Sequence, residues 1–199
     1  MITTIMTFLA LYERQGATMR NHGRYDGHEE GVCLVCQWAG VSALFMPWSV
    51  FQSLASAGAF KVERMSPASS PDGEEWFHLR PNKKALKMAL VQHQGEFLEV
   101  KLQDCTSKVW KQEHLDWVPA GASKYRYNLG YFAEAMLHEH FGLDWSMNRN
   151  RRTRGVADMV LTDSEGKRHH WEIKDLIGAG FQIRPERAHE LGLDDLCTD

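Results

Sequence analysis

No stretch of the 199-residue chain stays apolar for the roughly 18 residues that a membrane-spanning helix needs, so a helical membrane protein is excluded and no membrane partner is expected. Positive charge is in deficit. Lys and Arg number 23 against 26 Asp and Glu, a formal net charge of -3, so any nucleic-acid contact must come from a local patch. The four cysteines form no spaced disulfide framework, and a reducing, cytoplasmic setting is expected. The opening M-I-T-T-I-M-T-F-L-A-L-Y-E-R lacks a basic leader and reads poorly as a signal peptide. Ile2, Ile5, Met6, Leu9 and Tyr12 instead suit an amphipathic helix. Internal repeats and long linkers are also missing. What remains is 43% hydrophobic residues, enough for a packed core in one ordinary domain or two small ones.

The first half is apolar and aromatic, with C-L-V-C-Q-W-A-G followed by P-W-S-V-F-Q-S-L-A-S-A-G. The second stretch predicts a short helix from Trp48 to Ala57, closed by Gly58. A-F-K-V-E-R-M, a turn-rich S-P-A-S-S-P-D-G, and E-E-W-F-H-L then read as strand, loop and strand. A helix followed by a two-stranded wing matches the tail of a winged-helix module, or an ordinary α+β scaffold. Asn82 to His93 reads as a helix and Gly95 to Gln103 as a strand. V-P-A-G-A-S, ending at Ser123, is the best boundary. It separates an N-terminal α+β region for substrate binding or assembly (1–120) from a C-terminal α/β core (121–199).

Leu129, Phe132, Ala133, Met136, Leu137 and Phe141 recur on one face of a helix, with Asn128 as a plausible N-cap and Gly142 as the residue that ends it. Glu134 lies at the edge of this stripe, where its carboxylate can look between helix and sheet. The plainer reading of a helical Glu there is a solvated charge.

R-G-V-A-D-M-V-L-T-D-S-E-G-K-R-H-H-W-E-I-K-D predicts a β-hairpin. Strand parity puts Glu172 and Lys174 on one face, and Trp171 and Ile173 on the other. A three-residue loop of Ser164, Glu165 and Gly166 pairs Asp163 with Lys167 and sets Asp158 opposite Glu172, roughly 5 Å apart at Cβ. A loop of two or four residues would turn Asp158 to the wrong face. Two opposed carboxylates repel, and a hard divalent cation offsets that better than Lys174 alone. Taken alone, E-x-K is as well read as a surface Glu–Lys pair. The loop just before, with Arg149, Arg151, Arg152 and Arg154, favours a phosphate-bearing substrate.

Helix with Glu, strand with Asp, strand with Glu-x-Lys: G-Y-F-A-E-A, G-V-A-D-M-V-L and H-W-E-I-K-D resemble the PD-(D/E)XK nuclease superfamily over roughly residues 125–182. The resemblance implies a restriction-endonuclease-like mixed sheet flanked by helices. It implies Mg²⁺ or Mn²⁺ held by Asp158 and Glu172, with the Ile173 carbonyl completing the site, and Glu134 holding a metal-bound water or a second ion. Lys174 would position or activate water, or steady transition-state charge, for hydrolysis of DNA. Gln182 stands where some relatives carry a substrate-contacting Gln. Ala157 replaces the family's Pro. The family also expects a helix and another strand after the Lys strand, and the tail has room for one helix near Pro185 to Leu191. The N-terminal half or a second subunit must supply the strand, so a homodimer or larger nucleoprotein complex is open.

Three rivals stand beside this site. Asp72 with Glu99-Val100-Lys101 offers the same residue types, separated by a predicted helix. Cys33-x-x-Cys36 with His22 and His28 offers half a zinc site, or two core cysteines. His138, His140, His169 and His170 surround the hairpin, and His170 shares the face of Glu172. The expected function is a metal-dependent DNA endonuclease of restriction, defence or DNA-processing type. A non-catalytic nucleic-acid-binding or assembly module and a zinc-stabilised interaction protein are the alternatives.

Overall fold

The structure, a computed structural model, describes residues 31–37, 40–69, 73–103, 129–141, 158–162, 168–176 and 180–197. It is mixed α/β, with two sheets and four helices among these residues. The strands are β1 (Gly31–Gln37), β2 (Val41–Pro47), β3 (Phe60–Arg64), β4 (Phe77–Pro81), β5 (Leu98–Gln103), β6 (Met159–Thr162), β7 (Arg168–Asp175) and β8 (Phe181–Ile183). The helices are α1 (Trp48–Ser56), α2 (Lys83–Gln92), α3 (Leu129–His140) and α4 (Pro185–Glu190). None is long and apolar enough to cross a membrane among the described residues.

The larger sheet has the order β5-β2-β1-β7-β6. β1 pairs antiparallel with β2 and parallel with β7. The smaller sheet, β3-β4-β8, is antiparallel throughout. Each sheet takes strands from both sides of residue 120.

Central strands explain their own composition. β1 and β2 are buried along nearly their whole length, so both faces are apolar and no alternation marks them in the sequence. Cys33 and Val35 join a core with Phe45, Trp171, Ile173, Ala133 and Leu137 of α3, and Phe141 just after it. Val32, Leu34 and Met46 join a second core on the other face, where α1, α2, α4 and the smaller sheet pack. Trp171 is fully buried and meets Phe45 edge-on, with ring centroids 5.1 Å apart. Removing such a side chain costs about 3–5 kcal/mol.

Local signals place the connections. Gly58 closes α1 with φ of 76°, and Ala59 N–H reaches back to the Leu54 carbonyl at 3.0 Å. Asn82 caps α2, its side chain accepting from Ala85 N–H at 3.3 Å. The expected helix followed by a two-stranded wing is present as α1, β3 and β4, but β8 adds a third strand to the wing.

Candidate metal centre

The site rests on β7, whose two faces carry different residues. Trp171 and Ile173 point into the core beneath α3. Glu172 and Lys174 take the opposite face, beside Val32 and Leu34 of the parallel neighbour β1. On the other side, β6 runs antiparallel in the register Met159↔Trp171 and Val160↔His170. One step further along this register, Asp158 stands opposite Glu172, as the hairpin count expects. Residues 163–167, which join the strands, lie outside the described residues.

Asp158 also closes the strand ladder. Leu176 N–H donates to Val35 of β1, so alternate N–H groups of β7, Ile173 among them, face β6. β6 begins only at Met159, and the Asp158 carboxylate accepts the Ile173 N–H at 2.9 Å through Oδ2. The Ile173 carbonyl lies on the same side of its strand as that N–H. The oxygen atoms on offer along this stretch are the carboxylates of Asp158 and Glu172 and the Ile173 carbonyl.

Lys174 Nζ lies 2.5 Å from Glu172 Oε1, with side-chain exposures of 15% and 27%. Burial pushes the Glu172 carboxyl up, but Lys174, with Arg184 and Arg187 behind it, outweighs burial and holds it below its ordinary value. Burial likewise pulls the Lys174 ammonium down, and Glu172 and Asp158 more than restore it, leaving it above the usual lysine range. Lys174 is thus a held positive charge, not a base, in the metal-free protein.

Glu134 does not join this group. It is buried at 5% exposure on α3, which covers the face of the sheet opposite Glu172 and Lys174. Its backbone carbonyl accepts from His138 Nδ1 at 2.7 Å. His169 and Asp175 are buried, on the Trp171 face by parity, and His140 is exposed. His170 is half-buried on the Glu172 side by the same parity. Among the described residues, no cluster of three or more His, Cys, Asp or Glu converges on a metal position. Two carboxylates suit a cation that keeps several waters, as Mg²⁺ does.

Gln182 does not join either. β8 pairs with β4 and sets Gln182 beside His78, while its neighbours Phe181 and Ile183 enter the core. Gln182 therefore faces outward from the smaller sheet. Arg149, Arg151, Arg152 and Arg154 lie outside the described residues. Arg184 and Arg187 act on the charge of Glu172. The tail R-P-E-R, with Arg184 just before α4 and Arg187 within it, was the overlooked signal.

The zinc alternative meets a geometric objection. Cys33 faces the α3 core and Cys36 the opposite core, because three residues along a strand reverse the face. Both are buried, and burial pushes the Cys36 thiol up to about 12. His22 and His28 lie outside the described residues. Of the rival carboxylates, Asp72 lies outside them too, and Glu99 is exposed on the edge strand β5, separated from β7 by β2 and β1. No protein-family model, curated protein or solved structure matches this chain.

Proposed function

We propose that the chain is a divalent-metal-dependent nuclease, with Asp158 and Glu172 as ligands and Lys174 as the charge beside them. The observation that supports this reading is the β6–β7 register from Met159↔Trp171 onward, with the Asp158 carboxylate on the Ile173 N–H and Lys174 on Glu172. The site resembles a PD-(D/E)XK core, a restriction-endonuclease-like fold. β1, which pairs parallel with β7 and comes from the N-terminal half, would supply the strand that the resemblance calls for after the Lys strand.

Asp158, Glu172 and the Ile173 carbonyl would hold Mg²⁺ or Mn²⁺. The bound ion supplies Lewis acidity toward a phosphoryl oxygen and a stronger water nucleophile. Asp158 is fixed by the Ile173 N–H, and this orients its carboxylate before any ion arrives. Lys174, released from Glu172, offers its ammonium to the charge that builds on the phosphoryl oxygens during in-line attack. DNA is the proposed substrate. Incubation of supercoiled plasmid with Mg²⁺ or Mn²⁺ should produce nicked or linear products. EDTA, Asp158→Asn and Glu172→Gln should each abolish them in folded protein.

A second reading has its own support. Asp158 and Glu172 both have protein partners without an ion, as a structural hairpin would. Binding of DNA with no cleavage of any substrate in either metal would select a non-catalytic nucleic-acid-binding or assembly module.

A further inference from the structure

α2 buries one side and shows another. Leu86, Ala89 and Leu90 enter the core, while Lys84, Lys87, Met88 and Val91 stand exposed. Those four fall at i, i+3, i+4 and i+7, a single outward stripe along the helix. Met88 is 59% exposed and Val91 73%, and among the described residues these are the large hydrophobics left to solvent. Both lie on this one stripe, a turn apart.

The charge on the helix is equally one-sided. No Asp or Glu occurs from Trp76 to Gly95, while Lys83, Lys84 and Lys87 fall within that stretch, in a chain of net charge -3. Lys83 and Lys84 occupy the first turn, where the N–H groups of a helix already carry partial positive charge and a lysine opposes them. Helix stability therefore gives no reason for their place. Neither forms an ion pair among the described residues, so both ammonium groups are available to a partner.

The stripe is convex, so the partner must supply the hollow. An acidic peptide helix would need an apolar groove to receive its anchors, and two side chains on a rounded helix do not make one. The major groove of duplex DNA is about 12 Å wide and admits an α-helix. Its walls are phosphates, within reach of ammonium groups on the flank of such a helix, and its floor carries thymine methyl groups that apolar side chains cover.

We infer that α2 enters the major groove of duplex DNA, with Lys83 and Lys84 on backbone phosphates and Met88 and Val91 against base edges. The choice of DNA rests on the substrate proposed above; the inference adds where a duplex is gripped, by an element separate from the hairpin.

Binding of a short fluorescein-labelled duplex rich in A·T pairs is followed by anisotropy across a salt series, in EDTA so that nothing is cut. Lys83→Gln/Lys84→Gln should weaken binding several-fold at low salt and reduce the salt-dependence slope by about 2. It should melt no lower than wild type, since both lysines oppose the helix dipole. Wild type should bind the duplex several-fold more tightly than a copy with uracil in place of thymine, which lacks only the methyl groups. Met88→Ser/Val91→Ser should lose that preference and keep the slope. Unchanged affinity and slope in the lysine variant would overturn the inference, as would equal binding of the thymine and uracil duplexes by wild type. Poly-glutamate that displaces the duplex as effectively as unlabelled DNA would overturn it in favour of an acidic protein partner. Cleavage of plasmid bears on the hairpin alone. Binding that depends on these lysines in a protein that never cuts sustains the inference and removes the nuclease reading.

Discussion

The Lys174 ammonium, 2.5 Å from a Glu172 oxygen, occupies ground that a divalent ion would want. An ion between Asp158 and Glu172 must turn it aside. On the proposed nuclease reading, Lys174→Ala should lower cleavage by about 10²–10³-fold, the scale of losing one transition-state electrostatic partner. The same variant should bind Mn²⁺ as tightly as wild type or more so in a calorimetric titration. Weaker Mn²⁺ binding would instead make Lys174 part of what shapes the ligands. The pair also sets a pH window. Glu172 sits below its ordinary value, so its contribution to stability is full above about pH 4.3 and fades as pH falls through the folded-state value. Lys174 sits above its ordinary value, so its contribution is full below about pH 10.4 and fades as pH rises through the folded-state value. In EDTA, the stability gap between wild type and Glu172→Gln/Lys174→Met should stay flat from about pH 5 to 9 and close toward acid. A slope across that plateau would assign the pH dependence to other groups.

Among the elements, β7 owes its position to β1. Gly31 opens β1 opposite Trp171, and a Cβ there would collide with the Met46 carbonyl of β2. Gly31→Ala should cost about 1–3 kcal/mol in denaturant unfolding, since backbone rather than a pliable side chain must yield. The sequence shows this region unevenly. Gly58, Asn82 and the alternation of W-E-I-K gave α1, α2 and the two faces of β7 their places, because each rests on local chemistry. β1 and β2 were unreadable as strands, since burial of both faces erases the period of two. Glu134 was legible as lying at the edge of the apolar stripe, but the plainer reading, a solvated charge, is not met, since it is buried. The helical wheel cannot say which face of a sheet the helix will cover, and here it covers the wrong one for Asp158. Gln182 was misplaced for a similar reason: its distance along the chain from Lys174 does not reveal that β8 leaves to join β4. Register was readable because chain counting between two adjacent strands decides it.

The whole molecule shares both sheets across residue 120, so its halves depend on each other. A fragment of residues 121–199 would keep the hairpin and lose β1, β2 and β4, and with them the parallel edge of β7 and the partner of β8. It should lack a cooperative unfolding transition by circular dichroism. A well-folded fragment would show that the C-terminal core stands alone. The parallel pairing has one more consequence. Gly31 and Trp171 meet across 140 positions of chain. At a synthesis rate of about 5–20 residues per second, β1 waits roughly 7–28 s for its neighbour. Glu172 and Lys174 leave the ribosome long after β1, so a polypeptide that ends before them carries the first strands of the sheet without its charged site. Whatever chemistry the hairpin performs is withheld until β7 has been made.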